Sequence, residues 1–200
     1  DYRVIRLDLP GHGLSRCVDN DEIGIEQFIT SIDRVTNSLN VDQFTLVGSS
    51  MGGHTAWAYA LAHPEKLDGL VLVDAAGWLD APGEGDKEPM IFRLLRNGLA
   101  RNVMKDLDMS ALIRAGLEDS FADPALVTDE MVERYSAMSR APCHREALLK
   151  LMSGTTLRVP ASKEALGEIA LPTLIQHGGG DNLVPVSHAK KFAEAIPGSK

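Results

Sequence analysis

The chain has 200 residues, of which 44% are apolar and 24% charged, a composition typical of a globular protein and too apolar for a disordered one. Lys and Arg number 20 against 28 Asp and Glu, so the formal net charge is −8 at pH 7. An acidic chain lacks the positive surface that phosphate backbones require, and nucleic acid is therefore excluded as an expected partner.

The first part of the chain alternates between strand and helix patterns. Short apolar runs predict three strands, at residues 2–7, 44–47 and 70–73. Helical spacing of apolar residues predicts a helix over residues 23–39, and an Ala-rich helix follows the second strand and runs through Leu61. Continuously apolar strands are typical of a parallel sheet covered on both faces, so this order predicts an α/β fold.

A helical insert interrupts this alternation. Residues 80–89 are rich in Pro, Gly and charge, and helical patterns without a convincing strand follow at residues 90–105, 128–140 and 144–152. A strand pattern returns at residues 171–177, before a helix at 187–195. We therefore divide the chain into a first core part (1–79), an all-helical insert (80–165) and a second core part (166–200).

Three further features of the sequence bear on its environment. The longest strongly apolar runs are only a few residues, far short of the roughly 18 that a membrane span needs. The basic amphipathic segment 90–105 could touch a membrane surface, but Asp106 and Asp108 follow it and the chain is acidic, which favours an ordinary helix of the insert. Cys17 and Cys143 match neither a metal spacing nor a disulfide framework, so we predict free thiols.

One motif in the sequence indicates a catalytic site. Residues 48–52, Gly-Ser-Ser-Met-Gly, match G-x-S-x-G between a predicted strand and a predicted helix, which is the context that a nucleophile elbow requires. A serine on such a sharp turn has a strained backbone, and Gly48 and Gly52 remove side chains that we expect to collide with the strand and helix. Ser50 would then be exposed at the sheet edge, where the N–H of Met51 can face a developing oxyanion.

The chain resembles the α/β-hydrolase superfamily, in the branch with a helical cap. Segments 3–15, 46–53, 63–74 and 172–185 carry this resemblance, in the family's order and over nearly the whole chain outside the insert. The resemblance implies a mostly parallel sheet with flanking helices, and a helical insert that forms a lid over the site. It also implies that Ser50 is the nucleophile, that Asp181 is the acid that orients a histidine, and that Met51 N–H forms half of the oxyanion hole. Asp74 is the alternative acid.

The family pattern also implies parts outside these residues. The catalytic histidine follows the acid in the family's chain order, and His188 lies too close to Asp181 to fill that place, so we expect the base beyond Lys200. The family's His-Gly oxyanion loop, with its strand, would precede Asp1. The chain also opens inside a strand-like run, which natural domains seldom do. We therefore expect a fragment, catalytically inactive and poorly stable by itself.

The function expected from this pattern is a serine hydrolase that cleaves a carboxylic ester or related small acyl compound through an acyl-enzyme. Serine at position 50 argues against dehalogenases and epoxide hydrolases, which carry Asp there. Cleavage of a carbon–carbon bond, perhydrolysis, and a non-catalytic ligand-binding role remain open. No metal or organic cofactor is implied. Trp78 and Val184 are candidates for the substrate pocket, with ordinary packing an equal alternative; the oligomeric state is not predicted.

Overall fold

The computed structural model describes residues 2–17, 23–78, 108–152, 160–181 and 183–200. The chain divides into two compact units, one formed by Asp1–Ile32 with Glu88–Leu157 and the other by Asp33–Lys87 with Arg158–Lys200. Helix α1 (Ile25–Ser38) contains the boundary between the two units, which falls after Ile32. Its buried residues Ile25, Phe28 and Ile32 follow the predicted helical spacing. The predicted boundary at residue 79 lies outside the described residues.

The second unit contains a parallel sheet of three strands, in the order β1 (Phe44–Ser49), β2 (Leu67–Val73) and β3 (Thr173–Gln176). These strands lie at the strand patterns predicted at residues 44–47, 70–73 and 171–177. β2, paired on both sides, is the most completely buried, as its continuous apolar sequence indicates. Beyond β3, the backbone of Lys200 exchanges hydrogen bonds with Thr173 and Ile175.

Helices cover this sheet within the same unit. Helix α2 (Met51–Ala62) packs against β1 and β2, and its residues from Gly53 to Ala60 are all buried. A helix that is apolar on every side is stable only when enclosed, so α2 is a core helix. Two further helices, α6 (Lys163–Leu166) and α7 (Val186–Ala195), contribute Leu166 and Phe192 to the core.

A polar network lies at the far end of α2 from the sheet's carboxyl edge. The Tyr59 hydroxyl, fully buried, donates to Asp33 Oδ1 at 2.9 Å, and Lys66 Nζ donates to the same oxygen at 2.6 Å. Lys66 also donates to Asn37 Oδ1 at 3.1 Å. The hydrogen bond from Lys66 holds the pKa of the Asp33 carboxyl below its usual value. Burial, with the Asp33 carboxylate beside it, raises the pKa of Tyr59.

The described part of the other unit is helical after residue 108. Three helices follow one another, α3 (Ser110–Ser120), α4 (Asp129–Ser139) and α5 (His144–Met152), with a short 3₁₀ turn at Pro124–Leu126. Thr128 caps α4 by accepting from the Met131 N–H, and Asp123 caps the 3₁₀ turn in the same way. Helices therefore fill this part of the insert as predicted, whereas the segment 90–105 lies outside the described residues.

The strand predicted at residues 2–7 is not formed. This segment is irregular, and its apolar side chains are open to solvent, with Tyr2 97% and Val4 78% exposed. An extended segment becomes a strand only when a neighbour accepts and donates its backbone hydrogen bonds, and no described strand lies beside it. The turn that follows is ordered, because Leu14 N–H and the Ser15 hydroxyl both donate to Asp8.

The prediction of free thiols is wrong. Cys17 and Cys143 form a disulfide, with their α carbons 6.2 Å apart and a sequence separation of 126. Beside it, His144 Nε2 donates to the Ser15 carbonyl at 2.9 Å, and Gly11 approaches so closely that a β carbon there would lie 2.8 Å from that of Ala147. The turn thus lies against the start of α5, a tertiary contact that cysteine spacing cannot reveal.

Among the described helices, none combines the length and the apolar character needed to cross a membrane.

Candidate active site

The three strands end in register at one edge of the sheet. Ser49 of β1 lies beside Val73 of β2, which lies beside Gln176 of β3. The next residue of each strand is therefore Ser50, Asp74 or His177, in adjacent positions. Backbone hydrogen bonds continue the alignment, since Ser50 N–H donates to the Val73 carbonyl at 3.0 Å and Asp74 N–H to that of Gln176 at 2.9 Å. Ligands of open α/β sheets bind at this edge.

Ser50 occupies a strained turn between β1 and α2. Its φ of 53° and ψ of −116° lie in a region that residues with a side chain rarely adopt. Its carbonyl accepts from His54 N–H and from Ala76 N–H, at 3.0 and 3.1 Å. Trp57 Nε1 in turn donates to the Ala76 carbonyl at 3.0 Å. The turn is therefore held by α2 and by the segment after β2, the strand-to-helix context that the motif predicts.

The glycines of this turn differ from the expectation. A β carbon on Gly48 would overlap the carbonyl oxygen of Gly52, so Gly48 is sterically required as predicted. A β carbon on Gly52 would meet nothing within 4 Å, so the prediction of a collision at this position is wrong. The crowded position is Gly53, where a β carbon would lie 2.6 Å from that of Ala75. The reason is that Gly53, one residue further along α2, faces the segment after β2.

Met51 is the first residue of α2. The first backbone N–H groups of a helix have no partner within the helix, and they carry the positive end of its dipole. Since Ser50 is the N-cap residue, the Met51 N–H lies directly beside the serine. An anion that develops at the serine would therefore be near this donor, and the role of Met51 stays a prediction.

Asp181 lies on the loop between β3 and α7 and organises it. Its Oδ1 accepts from the N–H groups of Leu183 and Val184, at 2.7 and 2.9 Å. Its Oδ2 lies 3.7 Å from His177 Nε2. One oxygen of this carboxylate is therefore hydrogen-bonded to its own loop, and the other faces His177 at the end of β3. Its catalytic role remains a prediction.

Asp74, the alternative acid, lies on the other side of the same histidine. It follows β2 with a φ of 46°, and its Oδ1 accepts from Gly178 N–H at 2.7 Å. The same oxygen lies 3.8 Å from His177 Nδ1. Asp74 therefore joins the end of β2 to the loop after β3. Both acids that the sequence proposes face the ring of His177, the last residue of the strand predicted at 171–177.

Asp74, His177 and Asp181 each offer a ligand atom within 4.8 Å of the others, which is the spacing of a possible cation site. The two carboxylates face opposite nitrogens of the ring, however, and His177 Nε2 already donates to the Val184 carbonyl at 2.8 Å. One ion could not use both nitrogens. The contacts fit a hydrogen-bonded cluster better than a metal centre.

Trp78 and Val184, the two candidates for the substrate pocket, both have contacts within the protein. The Trp78 ring lies 5.6 Å from that of Phe192 in an edge-to-face arrangement, and its buried indole N–H has no hydrogen-bond partner among the described residues. Val184 is buried, with its N–H bonded to Asp181 and its carbonyl to His177. A contribution of either residue to a substrate pocket stays a prediction.

The six histidines are all described. His12 donates to the Pro10 carbonyl and His144 to that of Ser15, while His54 stacks on Trp57 and His63 contacts Tyr59. His188 is buried in α7 and His177 is bonded as above. The position of the catalytic base stays a prediction.

The model of a known protein family, described as the alpha/beta hydrolase fold, matches residues 1–200 of the chain. The chain belongs to the alpha/beta hydrolase family. This α/β hydrolase has the parallel sheet with flanking helices that the family resemblance predicts.

Several curated α/β hydrolases are similar in sequence. A 2-hydroxy-6-oxononadienedioate/2-hydroxy-6-oxononatrienedioate hydrolase from Klebsiella pneumoniae is 28% identical over 204 residues, covering all of this chain and 67% of the relative. One from Paraburkholderia xenovorans is 31% identical over 185 residues, covering 92% and 62%. A 2-hydroxy-6-oxo-6-phenylhexa-2,4-dienoate hydrolase from Burkholderia cepacia is 28% identical, covering 98% and 66%. The chain thus spans about two thirds of their length.

Solved structures agree in fold. A meta-cleavage product hydrolase from Pseudomonas fluorescens IP01 gives a TM-score of 0.78 at 24% identity, covering 96% of this chain and 67% of that one. An esterase from Exiguobacterium antarcticum gives 0.75 at 24% identity, covering 96% and 69%. At these identities the likeness concerns the fold alone, which the meta-cleavage product hydrolase and the esterase share.

Proposed function

We propose that the chain carries the nucleophile and the acid of a serine hydrolase that cleaves a carbon–carbon bond next to a ketone, in a substrate of the 2-hydroxy-6-oxo-dienoate type. The observation that carries the proposal is Ser50, strained at the end of β1 and in register with the ends of β2 and β3. The sequence relatives, 28 to 31% identical, support the substrate class, because their names specify hydrolysis of such dienoates.

The proposed reaction passes through an acyl-enzyme. Ser50 Oγ attacks the ketone carbon while a catalytic histidine, oriented by Asp181, takes the hydroxyl proton. The Met51 N–H stabilises the oxyanion. The carbon–carbon bond then breaks, and the histidine returns the proton to the carbon that leaves. Water hydrolyses the acyl-enzyme, giving its hydroxyl to the acyl carbon and its proton to Ser50, so the products are a carboxylic acid and a protonated carbon fragment.

An ester, the substrate that the sequence pattern predicts, would be cleaved by the same steps with an alkoxide as the leaving group. The nucleophile and the oxyanion donor do not distinguish the two bonds. The relatives' names favour the carbon–carbon reaction, so the ester serves as the comparison substrate.

The test compares two substrates on the full-length protein. We expect kcat/KM for 2-hydroxy-6-oxo-6-phenylhexa-2,4-dienoate, followed by its absorbance, to exceed that for p-nitrophenyl acetate by about 100-fold or more. Ser50→Ala should lower both by about 1,000-fold or more, since the nucleophile is lost. A preference for the ester would overturn the substrate class. Absence of Ser50-dependent turnover and of fluorophosphonate labelling would instead indicate a non-catalytic binding protein.

The identity of the acid is tested by a matched pair of variants. Asp181→Asn keeps an oxygen for the Leu183 and Val184 amides but removes the charge, so we expect kcat to fall about 1,000- to 10,000-fold. Asp74→Asn keeps an acceptor for Gly178 N–H, and we expect a loss of about tenfold or less. The opposite ranking would assign the acid to Asp74.

A further inference from the structure

His177 follows directly after β3, at the same level of the sheet as Ser50 and Asp74. Its side chain is 4% exposed, although it lies at the strand edge where ligands of this sheet architecture bind. A buried polar ring must have hydrogen-bond partners. The partners of His177 therefore indicate what the ring does.

The contacts of the ring fix its tautomer and its role. Nε2 lies 2.8 Å from the carbonyl oxygen of Val184, and because a carbonyl only accepts, Nε2 carries the proton and donates it. This bond connects the end of β3 to the far end of the loop that bears Asp181. Asp181 Oδ2 and Asp74 Oδ1 flank the ring at 3.7 and 3.8 Å, on the Nε2 and Nδ1 sides respectively.

Hydrogen bonds attach the loop after β3 both to His177 and to Asp74. Val184 is held at its N–H by Asp181 Oδ1 and at its carbonyl by His177, so the strand end, Val184 and the carboxylate form one connected unit. Asp74 attaches the end of β2 to the same loop through Gly178. The orientation of Asp181 Oδ2, the oxygen that its loop leaves unbonded to Leu183 or Val184, thus depends on where His177 holds Val184.

We propose that His177 is a positioning residue for Asp181: its Nε2–H, bonded to the Val184 carbonyl, fixes the loop so that Asp181 Oδ2 faces the catalytic histidine. This proposal rests on the proposed function, in which Asp181 is the acid. His177 itself touches no reacting atom, since its protonated nitrogen is engaged by the backbone. Displacement of a catalytic group by about 1 Å costs roughly 100-fold in rate, which sets the scale of the effect.

The test compares His177→Leu with His177→Gln in the full-length protein. Leucine fills the site without a donor, whereas glutamine can place an N–H near the position of Nε2. We expect His177→Leu to lower kcat about 10- to 100-fold with KM within about twofold, and His177→Gln to restore kcat to within about threefold of the wild type. His63→Gln, which changes a histidine at the end of α2, serves as the control and should leave kcat unchanged.

A second measurement reports on the loop without requiring activity. Hydrogen exchange at the Leu183 and Val184 amides should become about tenfold faster in His177→Leu and return towards the wild-type rate in His177→Gln. If the wild type turns over no acyl substrate but the amides respond in this way, the proposed function fails and the positioning contact stands. Unchanged exchange, an unchanged kcat, or a glutamine variant as impaired as the leucine variant would each overturn the role of His177.

Discussion

At the scale of single residues, Asp33 links ionisation to folding. Its Oδ1 accepts from Lys66 Nζ and from the buried Tyr59 hydroxyl. The Lys66 hydrogen bond lowers the pKa of Asp33, so its ionised form is favoured by folding. A carboxyl with a depressed pKa stabilises the fold above its unfolded pKa of about 4, and that stability is lost as the pH falls through the folded value. Tyr59 has the opposite sign, because its raised pKa favours the fold until the pH rises above about 10.

We predict that Asp33→Asn lowers the free energy of unfolding by about 1–3 kcal/mol at pH 7, the range for hydrogen bonds to a charged group. Near pH 3 the loss should be smaller, since Asp33 of the unfolded chain, with its ordinary pKa of about 4, already binds a proton there. Urea unfolding at both pH values measures this. A double-mutant cycle with Lys66→Met isolates the pair, and a coupling energy that is the same at pH 7 and pH 3 would contradict the assignment to ionised Asp33.

At the scale of elements, the passage from β1 to α2 decides where Ser50 lies. The strand can enter the helix this sharply because Gly48 has no side chain to meet the Gly52 carbonyl and Gly53 none to meet Ala75. Gly52 has open space around it. The three residues are all glycine, but their neighbours differ. Replacing each with alanine would show at which position a side chain is not tolerated.

We predict that Gly48→Ala lowers the free energy of unfolding by about 3 kcal/mol or more, because the new methyl group overlaps backbone that cannot yield. Gly52→Ala should be neutral or stabilising by up to about 1 kcal/mol, since alanine is the better helix former and nothing obstructs it. Chemical denaturation of the two variants measures the difference. Equal destabilisation by both would show that the turn is not packed as described.

Most elements of the sheet unit could be predicted from the sequence, because their apolar residues repeat with the period of the structure that they form. The spacing of Ile25, Phe28 and Ile32 predicts α1, and the run 70–73 predicts the buried β2. Residues 2–7 have an equally apolar pattern but form no strand, since a strand depends on a neighbour as well as on its own sequence. Periodicity carries no information about that neighbour.

The candidate site was predictable to a lesser extent. The G-x-S-x-G pattern indicated Ser50, whose strained φ and position between strand and helix agree with it. The cluster around His177 was missed, because it depends on the register that places Val73 beside Gln176. Ser50, Asp74 and His177 each lie at or shortly after the end of a predicted parallel strand, and this shared position is the sequence signal that indicates their proximity.

At the scale of the whole chain, the disulfide joins two distant segments of one unit. Cys17 follows the turn that begins at Pro10, and Cys143 directly precedes α5. A cross-link stabilises a protein chiefly by restricting the unfolded chain, and more so for long loops. Because the two cysteines have a sequence separation of 126, the bond restricts a large part of the chain.

We predict that, in the protein purified without reductant, Cys17 and Cys143 are unreactive towards a thiol reagent after denaturation and both become reactive after reduction, as mapping of the labelled peptides would show. The Cys17→Ser/Cys143→Ser variant should lose about 2–5 kcal/mol of unfolding free energy. Adding dithiothreitol should reproduce this loss in the wild type and leave the double variant unchanged. Detection of two thiols before reduction would contradict the bond.

The aligned strand ends also have a consequence for the order of folding. β1 and β2 pair across a short connection that is mostly α2, whereas β3 joins β2 only after the chain between Val73 and Thr173 has closed. Long loops cost more entropy to close and form contacts more slowly. We therefore expect Ser50 and Asp74 to come together before the loop with Asp181 joins them. A chain folded only that far would hold its serine without the proposed acid.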